Sequence, residues 1–329
     1  MVDVLKRMKM KQLITIGLLL IGIQLQAQRL YPQLEKVQSF DQIEYPYAVQ
    51  KQQISNNITI GYMDEGSGNQ TIVFVHGLGS YAPAWKKTIA GLKDHFRCIA
   101  IDLPGYGRSS KGNYAASMSF YADAIHEFLD SLGLEKVVLA GHSMGGQISI
   151  VATLKRPERV QKLLLISPAG IETFTEGEKD WFRDAITAKG VMLTPLNSIE
   201  ENLGHNFYKF PKDAEFMIKD RYAMTGCGDD FLWYCKVVER CVQGMVNEPV
   251  IRDLPQLNVP TLVVFGEADK LIPNRYLHGG STEKIGERAL KYIRHSELFM
   301  VKKAGHFVMF EKADEVNAKM IEFMQQSGL

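Results

Sequence analysis

Short apolar runs alternate with stretches whose apolar residues recur at helical spacing through most of the chain. The runs Thr71–Val75, Arg97–Ile101, Lys136–Ala140, Lys162–Ile166, Thr261–Phe265 and Leu298–Val301 have strand length. Strands that alternate with helices predict an α/β protein with a mostly parallel sheet covered on both faces. Between two of these runs, Met118, Tyr121, Ile125, Phe128, Leu129 and Leu132 share one helical face that excludes Asp123, Glu127 and Asp130, as a crossover helix lying on a sheet requires. Ile58–Met63, followed by Glu65-Gly66-Ser67-Gly68, reads as one arm of an opening hairpin.

The alternation stops after Ser167-Pro168-Ala169-Gly170 and resumes at Leu254-Pro255. Residues 171–253 carry helical spacing, broken near Pro195, Pro211 and Gly226-Cys227-Gly228. Structureless loops beyond about 15 residues are uncommon in compact domains. The segment is therefore expected to be a helical cap inserted into a core of residues 28–170 and 254–329. It holds 11 of the 32 aromatic residues, a modest excess that suits an apolar pocket. Trp181, Phe182, Phe207, Phe231 and Trp233 are candidate pocket residues, with packing of the cap as their alternative role.

The first residues read as an address. Lys6, Arg7, Lys9 and Lys11 precede the apolar run Leu13 to Ile23, and Leu25-Gln26-Ala27 ends on a small residue. The run is well short of the roughly 20 residues that cross a bilayer as a helix. Residues 1–27 are thus expected to be a signal peptide cleaved near Ala27, which would make the protein periplasmic or secreted without a stable membrane anchor. Cleavage removes four basic residues and one acid, leaving 34 Lys and Arg against 36 Asp and Glu, a net charge of −2. Such a balance offers nothing to nucleic acid or an anionic membrane and leaves small molecules as the expected partners. The four cysteines show no metal-ligand spacing. Cys235 and Cys241, on one predicted helix, lie about 9 Å apart along its axis, too far to bridge. Cys227 is left able to pair with either in an oxidising compartment, and Cys98, within a strand run, is expected to be a buried thiol.

Leu139-Ala140-Gly141-His142-Ser143-Met144-Gly145-Gly146 carries the chemistry. An apolar strand runs through G-x-S-x-G into a helical stretch, the setting in which a sharp turn exposes a serine and glycines let neighbouring chain pass close. A serine hydroxyl needs a base, and the base needs an acid to orient it. Gly305-His306-Phe307 follows the last strand run and places His306 at the carboxyl edge of the sheet with Ser143. Gly266 to Pro273 follows the run Thr261–Phe265, and Asp269 is the chosen acid, with Glu267 as competitor. Asp102 precedes the serine and is expected to buttress a turn.

With the order Ser143, Asp269, His306, the chain resembles the α/β-hydrolase superfamily, in its cap-bearing branch of esterases, lipases and carbon–carbon-bond hydrolases. The resemblance covers about residues 50–170 and 254–329, through His76-Gly77-Leu78-Gly79, Asp102-Leu103-Pro104-Gly105-Tyr106-Gly107-Arg108-Ser109, Gly141 to Gly146, Gly266 to Pro273 and Gly305-His306. It implies a mostly parallel eight-stranded sheet, an oxyanion hole built from the backbone N–H groups of Leu78 and Met144, and acyl transfer without metal or organic cofactor. The implied activity is hydrolysis of a carboxylic ester or related acyl substrate. The alternatives are carbon–carbon-bond hydrolysis, cofactor-free perhydrolysis, or a ligand-binding protein that kept the fold without turnover. His278–Arg288 departs from the compact family pattern and is read as an insertion between the acid and the histidine.

Overall fold

The computed structural model describes residues 34–326. The expected signal peptide lies outside the described residues. Eight strands form one sheet: β1 Val49–Gln53, β2 Thr59–Glu65, β3 Thr71–Val75, β4 Arg97–Ile101, β5 Val137–His142, β6 Val160–Ile166, β7 Thr261–Gly266 and β8 Ser296–Val301. Their order is β1-β2-β4-β3-β5-β6-β7-β8. Strands β3 to β8 pair in parallel, and β2 pairs antiparallel with both β1 and β4. The hairpin turn expected around Ile58–Met63 thus lies before β2, at Ser55–Asn57. The Gly66 to Gly68 stretch instead carries the chain on to β3.

Side chains of the parallel strands alternate between two apolar cores, as a period of two dictates. Val73, Val75, Ile99, Ile101, Leu139, Leu163, Leu165 and Val263 point to one core. Ile72, Phe74, Ala100, Val138, Leu164, Ile166, Leu262 and Val264 point to the other. Helices α1 Lys86–Leu92, α2 Met118–Ser131 and α3 Met144–Lys155 connect the first strands. The face predicted for α2 is the one it buries, through Met118, Tyr121, Ile125, Phe128 and Leu129. The chain leaves β3 toward β4 on one side and returns to β5 on the other, so the strand order reverses between β3 and β5. A crevice forms outside the carboxyl ends of the strands at such a reversal.

Between β6 and β7 the described chain holds five α-helices and no strand: α4 Glu176–Ala185, α5 Ala188–Met192, α6 Leu196–Gly204, α7 Glu215–Ala223 and α8 Gly228–Asn247. Pro195 caps the start of α6, and Pro211 opens the turn that leads into α7. The tail of the chain adds α9 Thr282–Tyr292, α10 Val308–Glu311 and α11 Ala313–Gln325.

His278–Arg288 is not an insertion into the fold. Most of His278–Arg288 belongs to α9, the ordinary crossover from β7 to β8. Ser281 caps that helix, and Thr282, Ile285, Gly286 and Ala289 form its buried face. Its solvent side is so rich in charge that the buried stripe is thin, which made a crossover helix look like a polar insertion. All four cysteines are buried and unpaired, including Cys227. The Cys241 sulfur is instead engaged by the hydroxyls of Tyr106 and Tyr121, at 3.2 and 3.3 Å. Burial pushes the Cys98 thiol up to about 12 and those of Cys227, Cys235 and Cys241 to about 11.

Candidate active site

Ser143 sits between the last residue of β5 and the first of α3, with φ 53° and ψ −120°. A left-handed φ at a residue with a Cβ is strained, and the surroundings hold it in place. Its N–H donates to the Ile166 carbonyl at 2.9 Å, and its carbonyl accepts from Gly146, Gln147 and Ala169. The turn requires glycine at 145, where a Cβ would meet the Val75 carbonyl oxygen at 2.2 Å. Strand β3 therefore runs hard against the start of α3, bringing the His76-Gly77-Leu78 turn beside the serine. A methyl group at Gly77 would lie 3.0 Å from Ser143 Cβ.

Two amides are left over at this junction. Met144 opens α3, so its N–H has no acceptor within the helix. Among the described residues neither this N–H nor that of Leu78 donates to another group. His76 secures the Leu78 turn: its Nδ1 donates to the Gly77 carbonyl at 2.8 Å and its Nε2 accepts from the Leu103 N–H at 3.1 Å. Complete burial lowers the pKa of His76 and favours this neutral form. Asp102 acts one turn further out, as expected of a buttress. Its carboxylate accepts from the Tyr45 hydroxyl at 2.6 Å, the Ala82 N–H at 2.8 Å and the Arg108 N–H at 2.7 Å.

His306 follows β8, and Asp269 follows β7. His306 Nδ1 lies 2.7 Å from Asp269 Oδ2, and the Asp269 side chain is fully buried. The other carboxylate oxygen accepts from the N–H groups of Leu271 and Ile272 at 2.8 and 3.2 Å. Glu267, the competing acid, is exposed on the same loop. His142, within the elbow, donates from Nε2 to the His306 carbonyl at 3.0 Å. Burial, reinforced by neighbouring His306, holds the pKa of His142 well below the ordinary range. A neutral ring in this tautomer fixes the backbone of His306 without competing for its proton.

Ser143 and His306 line one cavity of about 360 Å³, with Gly77, Leu78, Gln147, Glu172, Phe174, Phe182, Val242, Met245, Leu271 and Phe307 among its walls. A second cavity of about 520 Å³ adjoins it and shares Leu78, Phe182, Asn206, Val242 and Phe307. Of the five aromatic candidates in the cap, Phe182 lines both cavities. The other four line neither. Phe207 is packed away between Phe210, Phe307 and Phe310, and Phe231 stacks on Tyr234. Trp181 is 44% exposed, and Trp233 lies under the Lys236 ammonium. Sequence reasoning missed Phe174 and Glu172, just past β6, and Asn206, whose carbonyl accepts from the Phe307 N–H at 3.0 Å and ties the cap to the histidine loop.

The comparisons agree with this fold. Residues 70–221 match the family model for the alpha/beta hydrolase fold. A 2-hydroxy-6-oxononadienedioate/2-hydroxy-6-oxononatrienedioate hydrolase of Paraburkholderia phymatum is 28% identical over 82% of this chain and 92% of its own length. The structure of a probable hydrolytic enzyme from Pseudomonas aeruginosa superposes with TM-score 0.77, at 23% identity over 89% of this chain and all of that one. A thermophilic esterase from Thermogutta terrifontis superposes with TM-score 0.69, at 25% identity over 84% of this chain and 98% of that one. The chain has the α/β-hydrolase fold, and residues 70–221 resemble that family.

Proposed function

We propose that the chain is a serine hydrolase that cleaves a carboxylic ester through an acyl-enzyme. One observation carries this reading: Ser143 opens into the same cavity as His306, and His306 is itself hydrogen-bonded to buried Asp269. With its Nδ1 proton donated to Asp269, His306 keeps the Nε2 lone pair as a base. It takes the Ser143 proton as the oxygen attacks the substrate carbonyl. The Leu78 and Met144 N–H groups receive the oxyanion, each such donor being worth roughly 3–4 kcal/mol in related chemistry. His306 then protonates the leaving alcohol, and water releases the acyl group by the reverse sequence. The Asp269 carboxylate stabilises the imidazolium formed in each half.

The expected signal peptide, if cleaved, places this chemistry outside the cytoplasm, with a mature chain beginning at Gln28. Intact mass of exported material that still contained Lys6 to Ile23 would contradict that step.

A second reading, hydrolysis of a carbon–carbon bond, draws on Arg221. Its guanidinium lines the adjoining cavity against the faces of Tyr234 and Phe231 and makes no ion pair among the described residues. A cation there suits a carboxylate-bearing substrate of the kind that the Paraburkholderia relative is named for. Labelling of Ser143 by a fluorophosphonate, with turnover of p-nitrophenyl esters from acetate to palmitate beside a meta-cleavage diketone, tests both readings. Ester turnover without diketone turnover supports the first, and the opposite result supports the second. Absence of labelling and of turnover in folded protein rejects both.

A further inference from the structure

Two polar walls of the cavity over Ser143 have no part in the proposed acyl transfer. Gln147, one turn into α3, is fully buried and lines the cavity. Its amide nitrogen donates to the Met245 and Glu248 carbonyls at the end of α8, at 3.0 and 2.7 Å. These two acceptors fix the amide's orientation, because a flipped side chain would set its oxygen against both carbonyls. Gln147 Oε1 is then a buried acceptor with no donor among the described residues, an arrangement that favours a ligand able to supply one.

The second wall is Glu172, 9% exposed, on the loop after β6. Its carboxylate accepts from the Asn274 N–H at 2.9 and 3.1 Å and pairs with His278 Nδ1. His278 Nε2 reaches Glu178 Oε1 at 3.2 Å, in the first turn of α4. Two carboxylates thus share one imidazole, and the group is net negative whichever protonation state His278 adopts. Among the described residues, those that line this cavity include no lysine or arginine. An anion entering it meets a like charge and an unpaired acceptor, whereas a donor meets two acceptors.

We propose that this chamber receives a hydrogen-bond donor carried by the substrate, a hydroxyl or an ammonium group, and turns a carboxylate away. The proposal rests on the serine-hydrolase reading, because it names the substrate class of that same site. Glu172 and Gln147 are then specificity-determining residues, and anionic groups are left to the neighbouring chamber with Arg221.

Binding to the full chain carrying Ser143→Ala tests this without turnover. The probes are p-nitrophenyl hexanoates ending in methyl, hydroxyl, ammonium or carboxylate, and hexyl acetates with the same four ends on the alcohol side. Calorimetry is run with Arg221 present and again with Arg221→Gln, which silences the second chamber. In at least one series the hydroxyl or ammonium ligand should bind about tenfold or more tightly than the carboxylate ligand. Glu172→Gln should shrink the ammonium-over-carboxylate gap about tenfold, and Gln147→Met should erase the hydroxyl-over-methyl preference. Equal binding of all four ends in both series overturns the proposal, as does a gap that survives both substitutions in folded protein. If either variant fails to fold, the ranking with Glu172 and Gln147 intact decides. The two ideas fail separately. A correct ranking in a protein that hydrolyses no ester and takes no fluorophosphonate rejects only the hydrolase reading. Ester turnover without the ranking rejects only this proposal.

Discussion

His306 Nδ1 stands 2.7 Å from Asp269 Oδ2 while Asp269 Oδ1 is held by two backbone amides. The carboxylate therefore has a fixed face for the imidazole, and His306 lines the same cavity as Ser143. Ser143→Ala and His306→Ala should each lower kcat for an ester by roughly six orders of magnitude, because nucleophile and base act as one unit. Asp269→Asn should cost roughly four, since it leaves a base in the wrong tautomer. Glu267→Gln, on an exposed side chain, should change kcat little. The same p-nitrophenyl ester assay reads all four variants. A larger loss for Glu267→Gln than for Asp269→Asn in folded protein would move the acid to Glu267.

The elbow makes a separate prediction about stability. Ser143 is held at φ 53°, where glycine is at ease and alanine is not. Ser143→Gly and Ser143→Ala should both be inactive, yet the glycine variant should be more stable than the alanine variant by about 1 kcal/mol. Urea unfolding of the pair is the measurement. Equal midpoints would mean that the backbone relaxes once the serine is gone.

Legibility in the sequence followed how local each signal was. The strand runs, the elbow around Ser143 and the order of Ser143, Asp269 and His306 could be read because each lies in one short segment whose composition the local geometry requires. The pocket walls were harder, since they depend on how the cap folds back over the core. Cap segment Asn206-Phe207 crosses Gly305 so closely that a Cβ there would meet the Asn206 carbonyl oxygen at 2.7 Å. Nothing near residue 206 in sequence announces that contact. Aromaticity marked Phe207 and Phe231 as candidates, but large apolar side chains also fill a core, and only the packing separates the two uses. Glu172 went unnoticed because its partners, Asn274 and His278, lie about a hundred residues away.

This division among the cap aromatics can be measured. Phe182 lines both cavities and meets Phe174 and Trp181 at ring-centroid distances of 5.0 Å. Phe182→Ala should shift the preferred acyl chain length, with roughly 1–3 kcal/mol of discrimination at stake per methylene. Phe207→Ala should instead destabilise the fold by about 3–5 kcal/mol and leave the chain-length profile of the folded fraction unchanged. Profiles across p-nitrophenyl esters, set beside urea unfolding curves, distinguish the two. A lowered stability with no change of profile in Phe182→Ala would show that it too is only packing.

Asp220 gives the protein a pH dependence outside the proposed triad. It lies on α7, where its carboxylate accepts from the Tyr81 hydroxyl. Burial raises its pKa from 3.8 to about 6, against the opposing effect of the Tyr81 hydrogen bond. The folded state therefore holds this proton more tightly than the unfolded chain. Stability from that proton is fully present below about pH 3.8 and is lost as the pH rises through about 6. Above that range the folded protein carries a partly desolvated carboxylate that the unfolded chain would hydrate freely. Asp220→Asn keeps an acceptor for Tyr81 and removes the charge. It should raise Tm relative to the parent protein above about pH 7, and the advantage should fade to nothing toward about pH 4. Thermal unfolding of both proteins across that range is the measurement. A gain of the same size at both ends would mean that the substitution acts through packing, and a loss at high pH would mean that the Asp220 anion stabilises its surroundings.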